Sequence, residues 1–276
     1  MLAGPEGPVK ALAGGTDLLV QMKQGGLRPH ALVSLRDVPG LDFVRLGDDG
    51  ELVIGAVTAL AVLENSPEVK EAFPAIAEAA SFVGSLQVRS RATVGGNLCN
   101  AAPSADMAPI LIACDAAAII TDGRAERSVP LEDFFSGPGV TVLRPGELLK
   151  AIAVPPSPEA SFGKYFKSFR SAMDCCTVGV AVCAAFAPGS LVVRDVRVAL
   201  GAVAPTPVRA RASEKVLIGR ELDDTLIARA SAEAAGEAQP IDDLRASAEY
   251  RKILVEVLSR RALTAAHAWA EKGAAA

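Results

Sequence analysis

Histidine is almost missing from this chain: 276 residues contain two, His30 and His267. Neither sits where a serine–histidine–aspartate relay or a histidine-rich metal set could be read from the sequence. The five cysteines, Cys99, Cys114, Cys175, Cys176 and Cys183, include no C-x-x-C pair. That argues against a zinc site or an iron–sulfur cluster held by this chain alone. An odd count in a chain of this length suggests no disulfide framework. Each cysteine reads as a small buried hydrophobe, Cys114 and Cys183 above all. No apolar run is long enough for a transmembrane helix, and no block of like charges occurs. Lys and Arg total 28 against 32 Asp and Glu, a net charge of −4, which lacks the basic excess that phosphate backbones require. The opening MLAGPEGPVK lacks the charged-then-apolar pattern of a secretory signal. The expectation is a cytoplasmic protein.

What is present is apolar and globular. Half the residues are hydrophobic and 22% are charged, enough for a sizeable core. The length fits one large domain or two ordinary ones. Val9 to Leu12 reads as a strand entering Gly14-Gly15. Thr16 then caps a helix through Met22 that stops at Gly25-Gly26. Ala31 to Leu35 is a second strand, and 43–47 and 51–55 form a hairpin around Asp48-Asp49-Gly50. Thr58 and Ala59 open a short helix, and Phe73 to Val83 and Asp106 to Cys114 are further helices. Ala117 to Thr121 and Leu148 to Val154 read as strands. Pro155-Pro156-Ser157-Pro158 is the clearest linker and places a boundary between domains at 1–156 and 159–272. Beyond it, strands at 162–169, 177–186 and 192–203 precede helices at about 211–218, 223–238 and 247–269. That order suggests a small α+β domain. Ile253, Leu254, Val257, Leu258, Ala262 and Ala265 fall at helical spacing, as the buried face of the last helix would.

Two glycine segments carry the candidate chemistry. In Leu12-Ala13-Gly14-Gly15-Thr16-Asp17-Leu18 a strand runs through paired glycines to a helix start. Glycine lets backbone approach a phosphate, and a helix start offers free N–H groups. The segment is neither G-x-G-x-x-G nor a P-loop, and an ordinary strand–turn–helix connection explains it equally well. The second segment runs from Thr93-Val94-Gly95-Gly96-Asn97 to Asp106. It is long, small and polar between apolar helices, as a loop wrapping a ligand rich in acceptors would be. Asp106 accepts from a ribose hydroxyl or caps the following helix, and both readings stand.

The two segments, A-G-G-T-D-L and T-V-G-G-N-L-C-N-A-A-P-S-A-D, together resemble the FAD-binding signatures of the medium subunits of molybdenum hydroxylases. This is the family typified by carbon monoxide dehydrogenase, to which the FAD domain of xanthine dehydrogenase is related. P-G-E-L-L at 145–149, K-x-x-R-x-x-x-D at 167–174 and S-A-E-Y-R-K-I-L-V-E-V-L-S-R-R-A-L at 247–263 are similar to that family as well, so the resemblance covers nearly the whole chain.

The fold it implies is α+β: a two-part FAD-binding domain of the vanillyl-alcohol-oxidase (PCMH) type, followed by a C-terminal domain of three strands and three helices. It implies that Leu12, Ala13, Gly14, Gly15, Thr16, Asp17 and Leu18, with Thr93, Val94, Gly95, Gly96 and Asn97, surround the FAD pyrophosphate, largely through backbone N–H groups. Asp106 would meet the ribose or ribitol, Leu148 the adenine or flavin, and Lys167 the flavin edge, where a cation favours an anionic ring. The residue-level alternative for Lys167 is a solvated strand position.

The resemblance further implies partners: a large molybdopterin-cofactor subunit and a small subunit with two [2Fe–2S] clusters, paired as a dimer of heterotrimers. Electrons would pass from the clusters through FAD to an outside acceptor, and no catalytic acid or base is expected on this chain. Two departures stand out. Cys175 occupies a place where other members put a bulky residue beside the flavin, and only twelve residues precede Ala13, fewer than the family carries. The rival readings are a stand-alone FAD oxidase, for which the segment after the linker is small, and a flavin-free interaction module, against which both glycine segments count.

Overall fold

The computed structural model describes residues 9–274. The shortened start expected from the sequence therefore lies largely outside the described residues. The chain opens with a parallel pair, β1 (Val9–Leu12) and β2 (Ala31–Ser34), joined through the short helix α1 (Leu18–Lys23). The cap at the start of α1 is Asp17, not Thr16 as expected, and it makes no side-chain cap bond.

A five-stranded antiparallel sheet follows, in the order β3-β4-β9-β5-β6. Its strands are β3 (Val44–Leu46), β4 (Leu52–Gly55), β5 (Ala117–Thr121), β6 (Glu126–Pro130) and β9 (Leu148–Val154). Between β4 and β5 run six short helices: α2 (Leu60–Asn65), α3 (Pro67–Ala72), α4 (Pro74–Ser81), α5 (Leu86–Arg89), α6 (Val94–Cys99) and α7 (Met107–Ala113). Local chemistry starts several of them. Ser66 and Ser85 accept from Val69 N–H and Val88 N–H, and Pro67 and Pro74 occupy first-turn positions, where a missing N–H leaves no bond unmade. A two-stranded ribbon, β7 (Phe135–Gly137) and β8 (Val140–Thr141), lies between β6 and β9.

The proline run leads from β9 into β10 (Ser161–Ser168). Next come β11 (Val178–Phe186), β12 (Val193–Gly201) and the two-residue β13 (Val208–Arg209), in sheet order β10-β11-β12-β13. The expected three-stranded sheet thus has a fourth strand, too short to register as a pattern. Helices α8 (Arg211–Leu217), α9 (Asp224–Glu237) and α10 (Ala248–Ala274) match the three expected. The face of α10 matches only in part, at Leu258 and Ala262. Val255, Leu258, Ala262, Leu263, Ala266 and Ala270 are buried, whereas Ile253 and Val257 are exposed. Arg251, a charged residue no apolar pattern would choose, is buried. Its guanidinium donates to Thr177 O at 2.6 Å, Ala202 O at 2.9 Å and the Asp243 carboxylate at 2.8 Å.

Strand β11 explains how the two halves meet. Val178, Val180, Val182, Ala184 and Phe186 point to the core under α8–α10. Ala181 and Cys183, on the opposite face, pack into the core of the first half with α4 and α7. Side chains of a strand alternate between faces, so a strand buried on both sides must be apolar throughout, as this one is. Pro155–Pro158 is therefore a break in sequence but not in packing.

Candidate functional site

A cleft of about 810 Å³ opens where β1 and its loop, the α5–α7 region and the end of β10 converge. Of the candidate site residues, Ala13, Gly14, Gly15, Thr16, Asp17, Leu18, Thr93, Gly95, Gly96, Asn97, Asp106, Leu148 and Lys167 line it. Leu12 and Val94 do not. Leu12 stands behind the loop, its carbonyl accepting from Leu35 N–H at 2.9 Å, and Val94 is fully buried in the core.

The two glycine segments do different work. Among the described residues, no protein acceptor meets the N–H groups of Ala13, Gly14, Gly15, Thr16 or Asp17. Buried or half-buried backbone donors normally have partners, so five consecutive open donors on a cleft wall form a cradle for an oxyanion. Gly14 is required there by packing: a Cβ would lie 1.9 Å from Arg91 O. Gly15 has φ +77°, a left-handed conformation that disfavours side chains.

The second segment is helical, where sequence reading expected an open loop. Val94 N–H donates to Thr58 O at 3.1 Å, Gly95 N–H to Ala56 O at 2.9 Å, Gly96 N–H to Thr93 Oγ1 at 3.0 Å and Asn97 N–H to Thr93 O at 3.0 Å. These donors are committed to the fold. Gly95 is small for a structural reason, since a Cβ there would meet Ala56 O at 2.5 Å. Thus α6 walls the cleft, and its N–H groups face their own chain.

Asp106 precedes α7 without capping it by its side chain. Asn97 takes that role, its Oδ1 accepting from Met107 N–H at 3.4 Å. The Asp106 carboxylate instead accepts from Tyr165 OH at 2.9 Å and from Lys167 Nζ at 2.9 Å, and Lys167 also donates to Phe82 O at 2.9 Å. The Lys167 side chain is 1% exposed and that of Asp106 7%. Lys167 is therefore not a solvated strand residue. Burial raises the Asp106 carboxyl above its usual range, against the lowering by Lys167 and the hydrogen bonds from Lys167 and Tyr165. Burial, with the neighbouring Cys176 and Asp106, pushes the Tyr165 phenol well above its ordinary range. Burial lifts the Cys176 and Cys99 thiols to about 12, so neither is a ready nucleophile.

Leu148 packs against the small cluster of Leu35, Leu41 and Val57. Cys175 is exposed on the cleft rim beside Met173. Sequence reading did not single out Gln21 and Asn100, whose side chains meet at 3.3 Å across the cleft. It also missed the role of Glu147 in the P-G-E-L-L segment. This carboxylate, held down to about 2 chiefly by Arg127, braces the cleft wall through bonds of 2.9 and 2.7 Å.

Residues 2–157 match the FAD binding domain in molybdopterin dehydrogenase, and residues 164–266 match the CO dehydrogenase flavoprotein C-terminal domain. The chain belongs to the FAD-binding subunits of the molybdopterin dehydrogenases. Within this family it is 34% identical to the putative xanthine dehydrogenase FAD-binding subunit of Escherichia coli K12, over 93% of this chain and 88% of that one. It is 35% identical to the carbon monoxide dehydrogenase medium chain of Afipia carboxidovorans, over 95% and 90%. A solved structure of carbon monoxide dehydrogenase from Hydrogenophaga pseudoflava superposes with a TM-score of 0.91 at 34% identity, covering 95% of this chain and 90% of that one. The family is thus one of FAD-containing oxidoreductase subunits, and its two-part architecture is the one described above.

Proposed function

We propose that this chain is the flavoprotein subunit of a heterotrimeric molybdenum hydroxylase, relaying electrons from the [2Fe–2S] clusters of a small partner to an outside acceptor. The observation that carries the reading is the run of open N–H groups from Ala13 to Asp17 on the wall of a cleft large enough for a dinucleotide. The bound FAD supplies hydride or electron acceptance and release. Ala13 to Asp17 would hold its pyrophosphate by backbone donors, with the Thr16 hydroxyl as a further donor. The wall of Thr93, Gly95, Gly96 and Asn97 would give the phosphates and ribose a close surface, bare of side chains at Gly95 and Gly96. Leu148 would pack against a flat ring. The Asp106–Tyr165–Lys167 cluster would fix the wall where the first half meets the second, its donors being spent within the chain.

The chain's own groups do not abstract a proton from a substrate in this scheme. They bind, orient and exclude water, while substrate oxidation takes place on the large molybdopterin subunit. The assembly inferred is the heterotrimer, and its pairing into a dimer rests on the family resemblance. We place the complex in the cytoplasm, in keeping with five unbridged cysteines.

The test is reconstitution. The isolated chain is expected to bind one FAD and to show no turnover with aldehydes, purines or N-heterocycles. Adding the iron–sulfur and molybdenum subunits restores substrate-dependent acceptor reduction, and native mass measurement reads the assembly. Sustained substrate oxidation by the metal-free chain alone would overturn the proposal in favour of a stand-alone oxidase.

A further inference from the structure

Cys114 and Cys183 belong to different halves of the molecule and are 69 positions apart, yet their Sγ atoms lie 3.5 Å from each other. Cys114 closes α7 as its C-cap, and Cys183 sits in the middle of β11. Both are half-buried. Gly163, opposite Cys183 in the β10–β11 register, leaves room for the pair. A Cβ there would stand 3.6 Å from the Cys183 sulfur and 3.2 Å from the Ala75 Cβ. A cavity of about 210 Å³ opens onto both cysteines, with Pro155, Pro156 and Arg197 on its walls. Arg197 is held beside them by Asp195 at 2.9 Å and Asp115 at 3.4 Å. Two sulfurs in contact, reached by a cavity larger than a water molecule needs, form a vicinal dithiol that a small reagent can enter.

We propose that Cys114 and Cys183 are a modification site, a dithiol converted to a disulfide across the two halves of the molecule by a two-electron oxidant of the peroxide class. In the first step one sulfur, as thiolate, attacks the peroxide O–O bond, becomes a sulfenic acid and releases hydroxide, which takes up a proton. In the second the other sulfur attacks the sulfenic sulfur, the S–S bond forms, and water leaves. Two thiols and one hydrogen peroxide give one disulfide and two waters; the sulfurs lose two electrons and the peroxide oxygens gain them. The hydrogen bond to Cys183, together with burial, holds the Cys114 proton well above the ordinary thiol range, so it is a slow nucleophile near neutral pH, as Cys99 and Cys176 are, and bond formation accelerates as pH rises from 7 to 9.

The placement gives the bond a structural consequence. Helix α7 starts immediately after Asp106, and Lys167 pairs with Gly179, on the same strand as Cys183. The disulfide would therefore tie the far end of α7 to β11, the strand paired with the β10 that the Asp106–Lys167 ion pair ties to the start of α7.

The FAD-loaded chain is incubated natively with hydrogen peroxide, quenched, denatured and alkylated with N-ethylmaleimide. Asp-N digestion frees Cys114 from Cys99 by cutting at Asp106, and fragment ions distinguish Cys183 from Cys175 and Cys176. The expected product is a Cys114–Cys183 linked peptide two hydrogens lighter than its parts, together with a thermal midpoint raised by about 5 °C through the constrained unfolded chain. C114S and C183S should each abolish the link. Full alkylation of Cys114 and Cys183 at a peroxide dose that oxidises the exposed Cys175 overturns the proposal. So does a bond confined to Cys175–Cys176. The wild-type map alone decides between these outcomes, whether or not the serine variants fold.

Discussion

Replacing Lys167 by methionine tests the cluster that joins the two halves at the cleft. The substitution keeps the apolar stem and removes the ammonium. It strands an Asp106 carboxylate whose side chain is 7% exposed and which keeps only the hydrogen bond from Tyr165. Removing one partner of a buried ion pair costs about 3–5 kcal/mol. For a chain of this size that corresponds to a drop of about 6–15 °C in the thermal midpoint.

The loss should depend on pH. Burial already raises the Asp106 pKa above the ordinary value of about 3.9. Between that ordinary value and the raised one, the folded protein therefore holds a proton that the unfolded chain releases. The stabilisation from that proton is present in acid and is lost as pH rises through the folded pKa. Deleting Lys167 removes a lowering influence and raises the folded pKa further, so the deficit of K167M should be larger at pH 8 than at pH 5.5. The double variant D106N/K167M leaves no charge to strand and keeps an acceptor for Tyr165. It should recover to within about 1–2 kcal/mol of the parent. Midpoints followed by circular dichroism at both pH values measure all of this. A K167M midpoint within about 2 °C of the parent at both, or a deficit that grows in acid, would refute the reasoning.

Three further outcomes are expected. Gly14→Ala drives a Cβ to 1.9 Å from Arg91 O, displacing the open donors; FAD affinity should fall about tenfold or more in a flavin-fluorescence titration, with the far-ultraviolet spectrum unchanged. Undiminished affinity in that folded variant would remove the Ala13–Asp17 segment from the cradle. Acid precipitation should release all the flavin into the supernatant, because the half-buried cleft cysteine Cys99 has its thiol lifted to about 12 by desolvation; flavin retained in the pellet would mean a covalent link. Arg251→Met leaves the Thr177 and Ala202 carbonyls without their side-chain donor and removes the buried cation from Asp243, which keeps its bonds from Arg245 and Ala246. It should cost about 3 kcal/mol, with hydrogen exchange accelerating first around residues 243–251 and unchanged protection there counting against the assignment.

Much of this was written in the sequence. Period-2 and helical spacing placed β1, β4, β9, β11 and α7–α10 within a residue or two, with α10 running on past its expected end, because burying one face imposes a repeat that survives in a linear string. Paired glycines and the ordered set of short signatures marked both walls of the cleft and the family. The structure alone decided which backbone donors are open. Gly14-Gly15 and Gly95-Gly96 look alike as text, but Ala56 and Thr93 take up the N–H groups of the second pair, and among the described residues nothing takes up those of the first. Lys167 read as a cation at the flavin edge or a solvated strand residue; its side chain is buried and paired with Asp106, 61 positions away, which only packing brings to it. Cys114 and Cys183 read as separate hydrophobes and are in contact. The buried face of α10 turned on Arg251, whose partners are loop and strand-end carbonyls that no spacing announces. Periodicity records what each element does with its own faces; which polar groups meet depends on contacts between distant segments, and those exist only once the chain is folded.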